Sequence, residues 1–260
     1  MAWARVEELA GAYGGDARVS VAARRIGDGR EWLLDADRVY PAASTIKIPI
    51  LIAVYRAAEA GLLDLDAPWP IAPEDRVVGS GVLTWMSPDL APRLRDHAYL
   101  MIAISDNTAS NVLLTAAGED AVRQVLADLG MAGSSLGRRF LGRMPGPDEG
   151  ENFTTAADLA RMISALAEDR AASPQACAAM RALLALQQDV DALARRLPEG
   201  VRFAGKSGWN DGIRHDSGLL SGPNGALAVA VATQGIADRH EVDEVIGRIA
   251  RELVEESGIA

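Results

Sequence analysis

The 260-residue sequence predicts an α/β (α+β) fold, in which an antiparallel sheet is flanked by N- and C-terminal helices and joined to an all-helical lobe. Segments with the alternation typical of strands occur near both ends of the chain, and helical periodicity fills its middle. Because 49% of the residues are apolar, the chain can bury one large core. We therefore predict a single domain over 1–260, with a sheet lobe from about 1–40 and 200–260 and a helical lobe over about 41–199.

Local signals place the individual elements in order. Gly27-Asp28-Gly29 separates two strand-like runs, 19–26 and 31–34, and is typical of a hairpin turn. A long apolar helix is predicted from Ser44 to about Gly61. The other predicted helices cover 2–13 (with a stop at Gly14-Gly15), 94–104, 108–117, 120–129, 154–166 (capped by Thr154-Thr155), 176–186, 189–197 and 238–257, and the other strands cover 201–206, 213–221 and 226–233.

The composition argues against several kinds of partner. The net charge is −10 and the sequence has no basic cluster, so we expect neither nucleic acid nor an anionic membrane surface to be a partner. The single cysteine, Cys177, allows no intrachain disulfide and is expected to be a small buried apolar residue. The three histidines lack the spacing of metal ligands, and no cofactor is predicted. Charges on most faces of the last helix favour a monomer.

The N-terminal segment is not typical of a leader peptide. Residues 2–13 predict an amphipathic helix interrupted by charges, whereas a secretory signal has an apolar core behind positive charge. No apolar run in the sequence has the length of a membrane span. We therefore expect a cytoplasmic protein from the sequence as written, or a secreted or periplasmic one if it is a trimmed mature form.

Ser44 and Lys47 are the first candidate catalytic pair. Residues three apart on a helix lie on the same face, so the two polar ends are expected within hydrogen-bond reach. A lysine with a lowered pKa can take the proton of a serine nucleophile, and a helix N-terminus favours developing negative charge. By itself the pair is better explained by a helix cap, Ser44, and a surface lysine, Lys47.

Two later motifs change this interpretation. Ser105-Asp106-Asn107 lies between two predicted helices, and Lys206-Ser207-Gly208 lies at the predicted end of a strand. Together with Ser44-x-x-Lys47, in this order, they resemble the penicillin-recognising serine enzymes, and most closely the class A serine β-lactamases. The resemblance covers most of the chain and implies a β-lactamase/transpeptidase-like domain. Separately, Ser105-Asp106-Asn107 is also explained by a capping turn, and Lys206 by an exposed strand residue.

The resemblance implies a catalytic role for five residues. Ser44 would be the acylated nucleophile, and Lys47 would take its proton or hold the network of charges around it. Ser105 would relay the proton toward the leaving nitrogen. Asn107 would hold Lys47 and contact the substrate amide. Lys206 would add a second positive charge, which lowers the pKa of Lys47.

Substrate binding is implied for the residues that follow Lys206. The Ser207 hydroxyl, with the charge of Lys206, would attract a substrate carboxylate, and Gly208 would let the strand approach closely. The backbone N–H groups of Ser44 and Trp209 would form the oxyanion hole, and the large Trp209 ring would reshape the pocket. Arg214 is a further candidate for the carboxylate, with a surface ion pair as an equal alternative.

One part of the family pattern is missing from the sequence. Class A enzymes carry a glutamate in a long loop, two residues after an arginine, that activates the water for deacylation. If Arg138 is that arginine, Phe140 occupies the glutamate position. Glu149 and Glu151 follow later in the loop, where solvated acids are the simpler explanation. We therefore predict that Ser44 is acylated and that its acyl group is then released slowly.

The sequence leaves several functions open. The leading interpretation is a serine hydrolase that cleaves a β-lactam or a related amide or ester through an acyl-enzyme. An alternative is a D-amino-acid peptidase or esterase of the same fold. A third is a covalent β-lactam-binding sensor with little turnover. A non-catalytic relative of the fold is disfavoured because all three motifs are intact.

Overall fold

The computed structural model describes residues 2–13 and 16–260, and its centre is a five-stranded antiparallel sheet. The strand order is β2-β1-β7-β6-β5, which places the N-terminal hairpin beside the C-terminal strands. The sheet strands are β1 (Arg18–Arg25), β2 (Glu31–Leu34), β5 (Arg202–Asn210), β6 (Ile213–Gly222) and β7 (Gly225–Gln234), and a separate two-stranded ribbon joins β3 (Tyr40–Pro41) to β4 (Phe153–Thr154). The predicted α/β class with an antiparallel sheet is confirmed.

In the part of the chain that the structure describes, eight helices surround the sheet or form the second lobe. They are α1 (Ala2–Gly11), α2 (Lys47–Glu59), α3 (Leu94–Ala103), α4 (Asn107–Ala117), α5 (Glu119–Asp128), α6 (Ala156–Ala167), α7 (Pro174–Leu184) and α8 (Arg239–Ser257). Short 3-10 turns occur at Ala43–Ile46, Pro73–Asp75, Leu83–Trp85 and Leu193–Arg196. Within the described residues, no helix combines the length and the apolar character needed to cross a membrane.

The alternation of β7 explains how the sheet is packed on both faces. Val229 and Val231 lie in the core shared with α1 and α8, whereas Ala228, Ala230 and Ala232 point to the opposite face, where α6 packs. Successive strand side chains point to opposite faces, and alanine lets a helix approach closely. The helical lobe therefore rests on the small-residue face of the sheet.

Helix α2 is the centre of the helical lobe. Its residues from Lys47 to Val54 are all buried, and it contacts α4, α5 and α7. An apolar run that is buried on every side, rather than on one stripe, is typical of a central helix. Cys177 on α7 is buried as expected. The burial of α2 carries Lys47 into the interior.

Two local predictions differ from the structure, and a third falls outside the described residues. The helix predicted over 189–197 is absent except for the 3-10 turn Leu193–Arg196, because the preceding side chains bond to β5 and β6. Strand β5 does not end at the Lys206 motif but continues to Asn210, since Gly208 pairs with His215. The predicted stop at Gly14-Gly15 lies outside the described residues.

Candidate active site

Ser44 lies in a 3-10 turn at the floor of a cleft. The turn Ala43–Ile46 connects β3 to α2, so Ser44 precedes the α-helix and is not part of it. Ala43 has a φ of +47°, a left-handed conformation that non-glycine residues rarely adopt and that recurs at functional sites. Ser44, Asn107, Phe140 and Glu151 are among the residues that line a cavity of about 480 Å³.

Lys47 connects the first motif to the second. Its side chain is fully buried, and Nζ donates to the Ser105 carbonyl oxygen at 2.6 Å and to Asn107 Oδ1 at 2.9 Å. Ser105 Oγ lies 3.0 Å from the same nitrogen. No hydrogen bond among the described residues joins Lys47 to the Ser44 hydroxyl. The predicted direct contact is therefore replaced by a network centred on Ser105.

The environment of Lys47 favours the neutral amine. Burial lowers the pKa of Lys47 well below its usual value, and the charge of Lys206 lowers it further, whereas Asp106 raises it. In the neutral form, Nζ still has two hydrogens to donate to the Ser105 carbonyl oxygen and to Asn107 Oδ1, and it has one lone pair that can take a proton. The hydrogen bonds to these two acceptors therefore do not require a positive charge on Lys47.

The backbone around Ser105 is held by its neighbours. Ser105 has a φ of +59°, which aims both its carbonyl and its hydroxyl at Lys47. Asp106 caps α4 by accepting from the Ala109 N–H at 2.9 Å. The Asn107 amide donates to the Val78 carbonyl at 3.4 Å, which orients its Oδ1 toward Lys47. The motif is therefore both a helix cap and a support for Lys47, with the two roles on different residues.

The third motif faces a second part of the cleft. Lys206 and Ser207 on β5, together with Ser105, line a cavity of about 330 Å³. Trp209 and Ser80 line both cavities and stand between them. Burial lowers the pKa of Lys206 to about 8, against the raising effect of Asp189 and Asp216. Below that pKa, Lys206 is protonated and adds a positive charge to this part of the cleft.

Arg214 takes part in a buried ion pair rather than a surface one. Its side chain is 3% exposed; Nη1 and Nη2 donate to Asp189 at 2.7 and 2.9 Å, and Nε donates to Asp243 at 2.6 Å. Ser207 Oγ donates to the same Asp189 carboxylate at 2.8 Å. Although burial alone would raise the pKa of Asp189, the hydrogen bond and charge of Arg214 lower it to about 2. The Arg214 guanidinium is thus already engaged by carboxylates of the chain.

Comparison with known proteins assigns the family. The model of the β-lactamase enzyme family matches residues 1–257, nearly the whole chain. The chain belongs to the β-lactamase enzyme family. The resemblance inferred from the three motifs is therefore confirmed, and with it the expectation of a β-lactamase-like serine hydrolase at the level of the family.

Solved structures and a curated relative agree with this membership. The β-lactamase from Sphaerobacter thermophilus is 40% identical, with a TM-score of 0.94 over 100% of this chain and 97% of that one. An ancestral class A β-lactamase is 26% identical, with a TM-score of 0.88 over 98% and 100% of the two chains. A β-lactamase of Rhodobacter capsulatus is 31% identical over 137 residues, which is 52% of this chain and 44% of that relative. The match thus spans less than half of the curated relative's length.

In this β-lactamase-family protein, the long loop places a phenylalanine beside the central lysine. Lys47 Nζ lies 4.5 Å from the centre of the Phe140 ring. Asn111 holds the Phe140 backbone from both sides, accepting from its N–H and donating to its carbonyl, each at 3.0 Å. Glu151 lines the Ser44 cavity but pairs with Arg138 at 2.9 Å. Glu149 pairs instead with Arg143 at 2.6 Å, in an exposed part of the loop.

Some residues of this site carry no recognisable local signal in the sequence. Asp189 and Gln187 belong to a segment that the sequence predicts to be partly helical, yet Gln187 Oε1 accepts from the Ser207 N–H and Asp189 binds Arg214. Asp106 stands inside a recognised motif, but its hydrogen bonds to the backbone of Val82 and Leu83 follow no spacing rule. These contacts join segments that are distant in sequence, so only the fold brings them together.

Replacing Gly208 with alanine is expected to slow acylation by about a hundredfold or more. A Cβ at this position would lie 2.8 Å from the Ser44 backbone nitrogen and 3.0 Å from that of Thr45, and neither backbone can move without displacing the nucleophile. The measurement is the rate of adduct formation with a reactive ester. Gly146→Ala is the control, because its added methyl meets only the end of the Glu149 side chain, at 3.4 Å. Equal rates in both variants would contradict the close approach of β5 to Ser44.

Proposed function

We propose that this protein is a serine hydrolase that forms an acyl-enzyme on Ser44 from a β-lactam or a related amide or ester, and that it releases the acyl group slowly. The observation that carries the proposal is the buried network of Lys47, Ser105 and Asn107 beside the cavity of Ser44. A serine near a buried lysine whose pKa is lowered has a candidate for the proton acceptor that a hydroxyl nucleophile needs.

In the proposed acylation, Ser44 Oγ attacks the substrate carbonyl carbon and its proton passes to the Lys47 amine. Lys47 then returns a proton to Ser105 Oγ, 3.0 Å away, as Ser105 gives its own hydrogen to the leaving nitrogen or oxygen. The bond from the carbonyl carbon to that leaving atom breaks. Ser44 is left as an ester, and the backbone N–H groups of Ser44 and Trp209 are the proposed oxyanion donors.

Deacylation requires a base that activates water, and the residues around the proposed acyl group are poorly suited to act as that base. Phe140 brings an uncharged ring to Lys47. Glu151, the carboxylate of the loop that lines the cavity, forms an ion pair with Arg138 at 2.9 Å, so its Oε1 is bonded to a guanidinium of the protein. Because acylation and deacylation each need a proton acceptor, the first is expected to outpace the second.

The sequence also predicts a carboxylate on the small-molecule substrate, held by Lys206, Ser207 and Arg214. Lys206 supports this prediction with a positive charge in the cleft. The Ser207 hydroxyl and Arg214 are both bound by Asp189. Selectivity for or against a substrate carboxylate therefore depends on Asp189.

Intact mass spectrometry tests the proposal. The protein is mixed with a penicillin and, separately, with a chromogenic cephalosporin, and the adduct and the product are followed over time. A stable adduct is expected in the wild-type protein and is expected to be lost in Ser44→Ala. Ser80→Ala, which alters another serine of the same cleft, is the matched control and should still form the adduct.

The other outcomes point to the alternatives. Rapid product formation without an adduct would contradict slow deacylation and indicate a β-lactamase with another deacylating group. A persistent adduct with no turnover on any ester would favour a covalent sensor. The absence of both adduct and product would direct the search to D-amino-acid peptides and esters. An adduct that persists in Ser44→Ala would contradict the assignment of the nucleophile.

A further inference from the structure

The cavity beside Lys206 already holds a carboxylate, which belongs to the protein itself. Asp189 accepts two parallel N–H bonds from Arg214, at 2.7 and 2.9 Å, and a third bond from Ser207 Oγ at 2.8 Å. A guanidinium fork with a neighbouring hydroxyl is the geometry with which proteins bind a free carboxylate. Ser207 and Arg214 thus form a carboxylate-binding pair whose position is taken by Asp189.

Little binding capacity remains there for an anion from solution. The Nε–H of the Arg214 guanidinium is donated to Asp243 at 2.6 Å, and the single hydroxyl hydrogen of Ser207 is donated to Asp189. Lys206 Nζ donates to the Ser207 carbonyl at 2.7 Å. The half-exposed Arg239 is itself 3.6 Å from Asp189. An incoming carboxylate would therefore meet Asp189 before it could reach Arg214.

Asp189 is held in place by the segment that carries it. Gln187 Oε1 accepts from the Ser207 N–H at 2.5 Å, and its amide donates to the Asp189 carbonyl at 3.0 Å. The Gln188 N–H donates to the Ala103 carbonyl at the end of α3, at 2.9 Å. The Asp189 side chain is thus bonded to β5 and β6, and its neighbours Gln187 and Gln188 are bonded to β5 and to the end of α3, so Asp189 is a fixed part of the site.

The negative charge of Asp189 distinguishes substrates with a carboxylate at this position from uncharged ones. A second carboxylate placed against it would be a like charge in a partly desolvated site, which is unfavourable, whereas an amide or ester at the same point would not be. We propose that Asp189 is a specificity-determining residue that takes the place of a substrate carboxylate, so that Ser44 is acylated preferentially by substrates uncharged at that position. The inference rests on the proposed function of Ser44.

Two thioesters, matched except for a carboxylate or a carboxamide on the leaving thiol, test the inference. Both carry N-acetylglycine as the acyl group; the leaving thiol is mercaptoacetate in one and mercaptoacetamide in the other. Ser44 Oγ bonds to the carbonyl carbon, the C–S bond breaks, and the serine proton leaves with the thiol. Thiol release gives kcat/KM for acylation, and intact mass confirms the adduct on Ser44.

The wild-type protein is expected to prefer the carboxamide thioester by about tenfold or more. Asp189→Asn should reduce that preference at least about tenfold, chiefly by accelerating the reaction of the carboxylate thioester. Asp191→Asn removes an exposed acid of the same cavity and should leave the preference within about twofold. Circular dichroism verifies that each variant is folded.

The possible outcomes separate a failure of the inference about Asp189 from a failure of the proposed acylation of Ser44. A wild-type preference for the carboxylate thioester would overturn the inference even if Asp189→Asn failed to fold. An unchanged preference in a folded Asp189→Asn, or the same change in Asp191→Asn, would also overturn it. If neither thioester acylated Ser44 and the mass experiment with β-lactams also showed no adduct and no product, the proposed function itself would be contradicted. Acylation of Ser44 without the charge preference would overturn the inference alone.

Discussion

In Phe140→Glu, the acyl-enzyme on Ser44 is expected to hydrolyse about a hundredfold or more faster than in the wild-type protein. Phe140 lines the cavity of Ser44, and its ring centre is 4.5 Å from Lys47 Nζ. A carboxylate at this point would be available to take a proton from an attacking water. Its negative charge would also raise the pKa of Lys47, so acylation should become slower as deacylation becomes faster.

Phe140→Gln is the matched control for this gain, because it has the shape of glutamate without its charge. The measurement is the decay of the penicillin adduct by intact mass after excess penicillin is removed, with circular dichroism to verify folding. Equal acceleration in both variants would mean that a smaller side chain simply admits water. An adduct that persists unchanged in a folded Phe140→Glu would contradict the assignment of residue 140 to the position of the deacylating base.

Arg214→Met is expected to lower the free energy of unfolding by about 3–5 kcal/mol. The substitution keeps an unbranched side chain but removes the charge between Asp189 and Asp243, whose side chains are 25% and 4% exposed. Two carboxylates would then be left without their main partner in a site that water reaches poorly. Since a whole domain is stable by only about 5–15 kcal/mol, this is a large fraction of the total.

Arg239→Met is the control for the same carboxylates. Arg239 is 46% exposed and lies 3.6 Å from Asp189 and 3.5 Å from Asp243, so its removal should cost less than about 1 kcal/mol. Urea denaturation followed by circular dichroism at neutral pH measures both variants. A loss below about 1 kcal/mol in Arg214→Met, or equal losses in the two variants, would show that burial of Arg214 does not govern the energy of this cluster.

The elements that the sequence predicted well are those with strong local signals. The hairpin around Gly27 to Gly29, the apolar helix after Ser44 and the N-cap at Thr155 each depend on residues a few positions apart. The helix predicted over 189–197 is wrong because its alanines and leucines satisfy a helical pattern, while Gln187 and Asp189 satisfy tertiary partners instead. Tertiary hydrogen bonds outweigh propensity where the two conflict.

The candidate site shows the same difference between features with a local signal in the sequence and features that depend on tertiary contacts. The three motifs predicted Ser44, Lys47, Ser105, Asn107 and Lys206 as catalytic residues, and the structure joins Lys47 to Ser105 and Asn107 by hydrogen bonds. The motifs were not enough to describe Arg214, which the sequence left between a ligand contact and a surface ion pair. The structure gives it a third role, a buried pair with two carboxylates.

What the sequence determined by itself is the family, most of the helices and strands in their order, and the three motifs, since each of these depends on residue type and short spacing. What only the tertiary structure decided is the chemical state of the site. The amine of Lys47 meets Ser105 and Asn107 across separations of 58 and 60 residues, and Asp189 meets Ser207 and Arg214 across 18 and 25. Burial and neighbouring charge set the pKa of Lys47 and the occupant of the carboxylate position, and both arise only when the chain is folded.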